Sequence, residues 1–138
     1  MRFMIIVKAT RESEQGVMPG EVLIASMADY HEQLAKAGVL LDASGLQPSS
    51  KGWRVRHDGT QRRVVDGPFP ESKELVAGYT IIQTRSRDEA LEWSRRFPNP
   101  SLDGGTAEIE VRQIFELDDF RPSPAAERFR DIGVPASR

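Results

Sequence analysis

The residues best suited to chemistry are concentrated in one short tract, DGPFPESKE, at residues 66–74. The tract brings three carboxylates and one lysine within nine residues. A carboxylate held near a lysine has its charged form stabilised and can serve as an acid or a base. The same residue types also make ordinary turns, because Asp bonds to nearby backbone, Gly tolerates unusual angles and Pro fixes the chain. We expect a rigid turn here, with Asp66, Phe69 and Lys73 as candidate ligand contacts and Asp66 as a candidate catalytic residue.

The chain has two histidines, His31 and His57. His31 falls beside the apolar stripe of a predicted helix, where it is either a proton-transfer group, and so a second catalytic candidate, or an ordinary boundary residue. His57 adjoins a predicted turn and is expected to face solvent. Neither histidine has a partner at metal-ligand spacing, and cysteine is absent, so no metal site is expected. No glycine-rich phosphate loop is present, and no cofactor is expected.

Composition limits the remaining possibilities. The 138 residues suffice for one ordinary domain, and 38% apolar residues with a net charge of −2 exclude wholesale disorder. The near-neutral charge disfavours a nucleic-acid partner. No apolar run is long enough to cross a membrane, and the run from Phe3 to Val7 is too short for a signal peptide. These features predict a cytoplasmic protein.

The elements that must position these residues alternate between strand and helix. Apolar side chains at Leu23, Met27, Tyr30 and Leu34 recur in steps of four, three and four, which places them on one helical face. Ser86 is spaced from a glutamate as in a capping box. The sequence predicts helices over 20–37 and 87–97, strands over 2–8, 39–46, 75–84 and 107–117, and a loop over 10–18.

A hairpin is predicted between the second and third of those strands. Residues 53–57 and 62–65 flank Asp58-Gly59, and this dipeptide between strand-like runs is a hairpin signal. With the hairpin set aside, the order is βαββαβ. The fold class predicted is therefore α+β: a ferredoxin-like βαββαβ with an inserted β-hairpin.

Two helices cover only one face of a four-stranded sheet, so the other face must meet water or another sheet. Alternation along the first strand directs Met4 and Ile6 to that second face, and the last strand adds Glu110 and Arg112. A mixed face of this kind suits a homodimer whose packed sheets enclose a partly polar cavity. It equally suits a hydrated face with cross-strand ion pairs. Glu110 and Arg112 are candidate ligand contacts in the first case.

Residues 118–138 are predicted to form an arm outside a domain spanning 1–117. The arm's prolines prevent a continuous strand or a long helix. Phe129 and Ile132 are three residues apart, so one helical turn would place them on a common face. We expect that face to dock on the core or on a neighbouring subunit, and the last few residues to fray.

The sequence resembles a known family at several spaced motifs. The tract DGPFPESKE is similar to the signature of the DGPF, or YCII-related, domain family. Other motifs agree in order over about residues 1–117: YHEQL with KAGVL, GLQPSS, AGY, ALEW, PNP and IEVRQ. The resemblance implies a ferredoxin-like chain that pairs as a dimeric α+β barrel, with a small-molecule pocket whose edge carries Asp66. Some family members are encoded beside extracytoplasmic-function sigma factors, which implies a regulatory or stress-linked context.

The chain departs from the family pattern at three positions. Gln47 replaces a common histidine, His31 replaces a common asparagine, and Met27 occupies the position that we align with a histidine in members thought to use a His–Asp pair. We therefore expect a homodimer that binds an unidentified small molecule near the DGPF turn, with Asp66 mattering more than His31. Two alternatives remain open: an enzyme using Asp66 as general acid or base, with His31 or Lys73 as its partner, and a protein-interaction module of a regulatory system.

Overall fold

The computed structural model describes residues 1–135 and has the predicted α+β class. The strands are β1 Arg2–Lys8, β2 Leu40–Gly45, β3 Trp53–Asp58, β4 Gln61–Asp66, β5 Val76–Gln83 and β6 Ile109–Gln113. The helices are α1 Arg11–Glu14, α2 Glu21–Lys36, α3 Arg87–Arg95 and α4 Pro124–Asp131. Four strands form an antiparallel sheet in the order β2-β5-β1-β6, while β3 and β4 form a separate hairpin.

The core lies between this sheet and the two longer helices, α2 and α3. Phe3 and Ile5 of β1 and Ile82 of β5 are buried in the same cluster as Tyr30 and Leu34 of α2. Phe3 pairs directly with Ile82 in the sheet, so both side chains point to the helix-covered face. The hydroxyl of Tyr30 donates to the carbonyl oxygen of Trp93 at 2.7 Å and ties α2 to α3.

The predicted helix limits are confirmed to within two residues. Gly38 follows α2 with a φ of +74°, the left-handed conformation that glycine adopts without strain. The Ser86 side chain accepts from the Glu89 amide at 3.1 Å, as an N-cap should. The carboxylate of Glu89 accepts from the Arg85 amide, so the predicted capping box is only half formed.

Two of the predicted segments differ in the structure. The predicted loop over 10–18 contains the short helix α1, because the side chains of Thr10 and Ser13 satisfy each other's backbone amides. The predicted hairpin turn is shifted by one residue, since Asp58 pairs with Gln61 and the two loop residues are therefore 59 and 60.

The last strand is also shorter than the predicted 107–117. After β6 the chain leaves the sheet, and Phe115 is 68% exposed with its ring 5.2 Å from that of Phe120. A strand over 107–117 would alternate so that Phe115 shares the core-facing side with Ile109 and Val111, and the observed exposure of Phe115 shows that this part of the predicted strand is wrong. Of these three residues, only Ile109 and Val111 pack against the core.

The open face of the sheet combines apolar and charged side chains, as the alternation predicts. Met4 and Ile6 of β1 are half-buried there and lie opposite Arg112 and Glu110 of β6. Glu110 accepts from Arg112 at 3.0 Å and pairs with Lys8 at 3.2 Å. These two cations hold the pKa of the Glu110 carboxyl below its usual value.

The C-terminal arm forms two helical turns instead of one. Ser123 caps α4 by accepting from the Ala126 amide at 2.9 Å, and Pro124 occupies the first helical turn. Phe129 and Ile132 are 52% and 72% exposed, so the predicted apolar face does not dock on the core of its own chain. Residues 136–138, which we expected to fray, lie outside the described residues.

Candidate functional site

A cavity of about 1050 Å³ lies between the N-terminal half of α2 and the helix-covered face of the sheet. It exists because the strands below it carry small residues. Ala43, Gly45 and Gly78 line its sheet side, and Gly45 pairs with Gly78 across β2 and β5. A side chain at Gly78 would bring its Cβ to 3.0 Å from the Ser44 carbonyl oxygen. The C-terminal half of α2 buries Tyr30, whereas the apolar side chains of its N-terminal half remain partly or largely exposed.

The walls of this cavity are mostly apolar. Side chains from the loop after α1, from α2 and from the end of β2 contribute Val17, Met18, Leu23, Ile24, Met27 and Leu46. Met18 is 79% exposed, and three others are about half exposed. The cavity therefore presents apolar surface that residues 1–135 leave uncovered.

His31 and Thr80 form a hydrogen-bonded pair in the wall of the cavity. His31 Nδ1 lies 2.7 Å from the Met27 carbonyl oxygen, and Nε2 lies 2.8 Å from Thr80 Oγ1. A carbonyl only accepts, so the hydrogen-bond network assigns the proton to Nδ1. In the neutral imidazole, Nε2 must then accept from the Thr80 hydroxyl. Thr80 is only 2% exposed, which places this pair at the floor of the cavity.

This arrangement sets the direction in which the buried Thr80 hydroxyl donates its proton. While the imidazole is neutral, Thr80 donates to it and keeps its own oxygen lone pairs for a ligand donor. The ring is further held by edge contacts to Tyr30 and Phe97, with centroids 5.5 and 6.1 Å away.

The DGPF turn supports one wall of the cavity from outside. The Gly67 amide donates to the Gly52 carbonyl at 3.0 Å, and the Phe69 amide donates to Ser49 Oγ at 3.0 Å. A Cβ at Gly67 would lie 1.9 Å from the Ser49 carbonyl oxygen, a distance that only glycine avoids. The turn at Ser49–Lys51 is thereby fixed against the base of the hairpin.

The same turn is also attached to the end of helix α1. The Ser49 amide donates to one carboxylate oxygen of Glu14 at 2.9 Å, and its hydroxyl bonds to the other. Glu14, Ser50 and Lys51 all line the cavity. The motif residues Gly67 and Phe69 therefore act on the cavity through Ser49.

The structure separates the predicted site residues into three places. His31 lines the cavity, whereas Asp66, Phe69 and Lys73 do not. Asp66 and Lys73 are exposed, and the Phe69 ring is covered by the Arg54 guanidinium at 3.7 Å. Glu110 and Arg112 lie on the opposite, open face of the sheet. None of the five predicted ligand contacts lies beside His31.

Sequence reasoning missed Thr80 and Lys51. Thr80 is two residues after Gly78 on the same strand, so alternation alone puts both on one face. What the sequence does not show is that this face meets His31, which is 49 residues away. Lys51 directly follows the GLQPSS motif, and its neighbours along the sequence do not indicate that it lines a cavity.

Within residues 1–135, no group of three or more His, Asp or Glu residues is arranged to hold a metal ion. In the same range, no helix is long and apolar enough to span a membrane.

Three comparisons with known proteins bear on the identity of the chain. An uncharacterised protein of Rhizobium meliloti (strain 1021) is 28% identical over 96 residues, which is 70% of this chain and 77% of that protein. A solved structure of 5-chloro-2-hydroxyhydroquinone dehydrochlorinase from Burkholderia phenoliruptrix AC1100, in complex with 2,5-dihydroxybenzoquinone, is 16% identical. The superposition covers 83% of this chain and 94% of the dehydrochlorinase chain, with a TM-score of 0.45. The model of the YCII-related domain matches residues 1–117, a range that includes the whole sheet, the cavity and the DGPF turn. The chain therefore belongs to the YCII-related domain family.

Proposed function

We propose that the protein binds a small organic molecule in the cavity between α2 and the sheet. The observation that carries this proposal is the combination of a concave apolar surface with one buried polar pair, His31 and Thr80. Ligand sites typically have about 300–1000 Å³ of space, apolar walls and a few placed polar groups. The cavity, at about 1050 Å³, lies at the upper end of that range.

The exposed apolar side chains around the mouth support the same function. Val17, Met18, Ile24 and Leu46 are each between 47% and 79% exposed, and all four line the cavity. Covering apolar surface releases about 25 cal/mol per Å². A ligand with an apolar body would gain this energy from a site that needs little rearrangement.

The proposal is tested by narrowing the cavity with a matched pair of variants. Ala28 and Ala25 are both exposed on α2, but only Ala28 lines the cavity. We expect an NMR screen of small neutral, anionic and cationic fragments to shift the amide signals of Gly45 and Gly78. Ala28→Phe should abolish those shifts and Ala25→Phe should leave them. Fragment binding that Ala28→Phe does not disturb would contradict the proposal.

We further propose that the protein is a homodimer through the open faces of its sheets. The strand order β2-β5-β1-β6, with both long helices on one face, supports a ferredoxin-like chain that pairs as a dimeric α+β barrel. Met4, Ile6 and Ile81 remain half-exposed on the open face. The sheet of a second protomer would cover these three side chains, and its ion pairs would lie around them.

The dimer is tested by placing a charge on each side of the sheet. Ile6→Glu should shift the mass measured by light scattering from dimer to monomer. Val22→Glu is the matched control, because Val22 is 84% exposed on α2 and lies away from the open face. A monomer mass for the unaltered protein would contradict this part of the proposal.

The catalytic alternative now depends on a different residue. Asp66 is exposed outside the cavity, whereas His31 is held in one tautomer beside Thr80. If the bound molecule is transformed, the geometry favours His31 as the proton-transfer group. Cytoplasmic location, a regulatory or stress-linked context and the alternative of a protein-interaction module stay predictions.

A further inference from the structure

We propose that the ligand is an organic acid: an apolar body with one anionic group that pairs with Lys51 at the mouth of the cavity. This inference rests on the proposed function and names the chemical class of its ligand. It is carried by a difference between the two charged side chains that line the cavity: Glu14 is held by hydrogen bonds within the chain, whereas Lys51 is paired with no carboxylate of residues 1–135.

The acidic side chain in the cavity lining is already hydrogen-bonded. Among the residues 1–135 that line the cavity, Glu14 is the one acidic residue. Both of its carboxylate oxygens are already engaged by Ser49, one by the amide at 2.9 Å and the other by the hydroxyl. These two bonds hold the Glu14 carboxylate against the Ser49–Lys51 turn.

The lining does offer a free positive charge. Lys51 is exposed, lines the cavity, and has no carboxylate within 4 Å in the part of the chain that the structure describes. Lys8, by contrast, is paired with Glu110 at 3.2 Å. An anionic ligand group would supply the partner that Lys51 lacks.

Lys51 is also held in place at the mouth. Its amide donates to the Pro48 carbonyl at 2.9 Å, and the next amide, of Gly52, donates to the Ser49 carbonyl at 2.9 Å. The DGPF turn clamps the same segment through Ser49. Because the backbone is fixed, only the flexible lysine side chain must be ordered when an anion binds.

The chemical character of the rest of the ligand follows from the side chains that form the cavity walls. Val17, Leu23, Ile24 and Met27 present hydrocarbon and thioether groups, while the floor offers one hydroxyl and one imidazole. A sugar or a phosphate-rich molecule would place polar groups against these apolar walls, which is costly when the groups are buried without partners. An aromatic or aliphatic acid matches both the walls and the mouth.

The test compares acids with their own amides. We would titrate the protein with 2-naphthylacetate and 2-naphthylacetamide, and with phenylacetate and phenylacetamide, by NMR. We expect each acid to bind about three- to tenfold more tightly than its amide, the range between an exposed and a partly desolvated ion pair. Added salt should reduce that preference.

Substitutions at Lys51 test whether this residue causes the preference for the acid over its amide. Lys51→Met should make acid and amide bind equally, and Lys51→Arg should retain the preference for the acid. Lys36→Met is the matched control, because Lys36 is exposed at the end of α2 and lies outside the cavity. If acid and amide bind the unaltered protein equally in the cavity, the ligand class is wrong and the proposed function stands. If Lys51→Met keeps the preference, the assignment to Lys51 is wrong. If neither form of either pair reaches the cavity although other fragments do, the ligand class is wrong; if no fragment reaches the cavity, both proposals fail.

Discussion

Gly67 provides a sharp test of how the DGPF turn supports the cavity. A Cβ at this position would lie 1.9 Å from the Ser49 carbonyl oxygen and 2.7 Å from its carbonyl carbon. Backbone atoms cannot yield as a flexible side chain can, so Gly67→Ala must push the Ser49–Lys51 turn away from the hairpin base.

The cost of that displacement can be worked from the contacts it breaks. The Gly67 amide would lose its 3.0 Å bond to Gly52, and the Phe69 amide would lose its 3.0 Å bond to Ser49. Each hydrogen bond contributes a net ~0.5–1.5 kcal/mol, so the free energy of unfolding should fall by about 1–3 kcal/mol. Ligand binding should weaken too, because Ser50 and Lys51 line the cavity.

Urea denaturation followed by circular dichroism measures the first effect. The matched control is Gly52→Ala on the other side of the same contact. Its φ is −117° and its Cβ would lie 3.6 Å from the Ser49 oxygen, an ordinary contact. We expect Gly52→Ala to be neutral or to stabilise by up to about 1 kcal/mol through the unfolded chain. A Gly67→Ala protein as stable as the unaltered protein, with undiminished binding, would refute the close approach.

Three other predictions follow from the same geometry. His31→Asn should weaken fragment binding in the cavity more than Asp66→Ala does, because of these two residues only His31 lines the cavity. This ranking is the reverse of the sequence-based expectation, and NMR titration of both variants measures it. A stronger effect at Asp66 would return the site to the DGPF turn. Burial raises the pKa of Tyr30 to about 12, so the free energy of unfolding should be unaffected by this group below about pH 10 and should fall as pH rises towards 12. Alkaline denaturation of the unaltered protein and of Tyr30→Phe checks this, because the free energy of unfolding of the variant should lose that fall with rising pH. The 1–117 fragment should keep a native-like circular dichroism spectrum, because α4 leaves Phe129 exposed instead of packing on the core; an unfolded fragment would show that the domain extends further.

Local patterns predicted most of the elements because their causes are local. The four apolar steps from Leu23 to Leu34 require only helical periodicity, and α2 covers Glu21–Lys36. Alternation in β1 placed Met4 and Ile6 on the face away from the helices, as observed. The short helix α1 escaped prediction because its stability comes from two side-chain caps in a polar segment that lacks an apolar stripe.

The candidate site was harder to predict because its contacts join distant parts of the chain. The sequence shows that DGPF is a turn, but not that Gly67 approaches Ser49, which is 18 residues earlier in the chain. It places His31 beside the apolar stripe, but the partner of the ring is set by the packing of α2 on β5. The abundance of charged groups in DGPFPESKE suggested chemistry, whereas the contacts of Gly67 and Phe69 give that tract a supporting role.

The location of a bound ligand tests the central claim most directly, and the chain's four methionines suit the measurement. Met18 and Met27 line the cavity, whereas Met4 lies on the open face of the sheet. With ¹³C-labelled methionine methyl groups, intermolecular nuclear Overhauser effects from bound 2-naphthylacetate should reach Met18 and Met27 and should not reach Met4. Contacts to the Met4 methyl without contacts to Met27 would place the ligand between sheets and contradict the account.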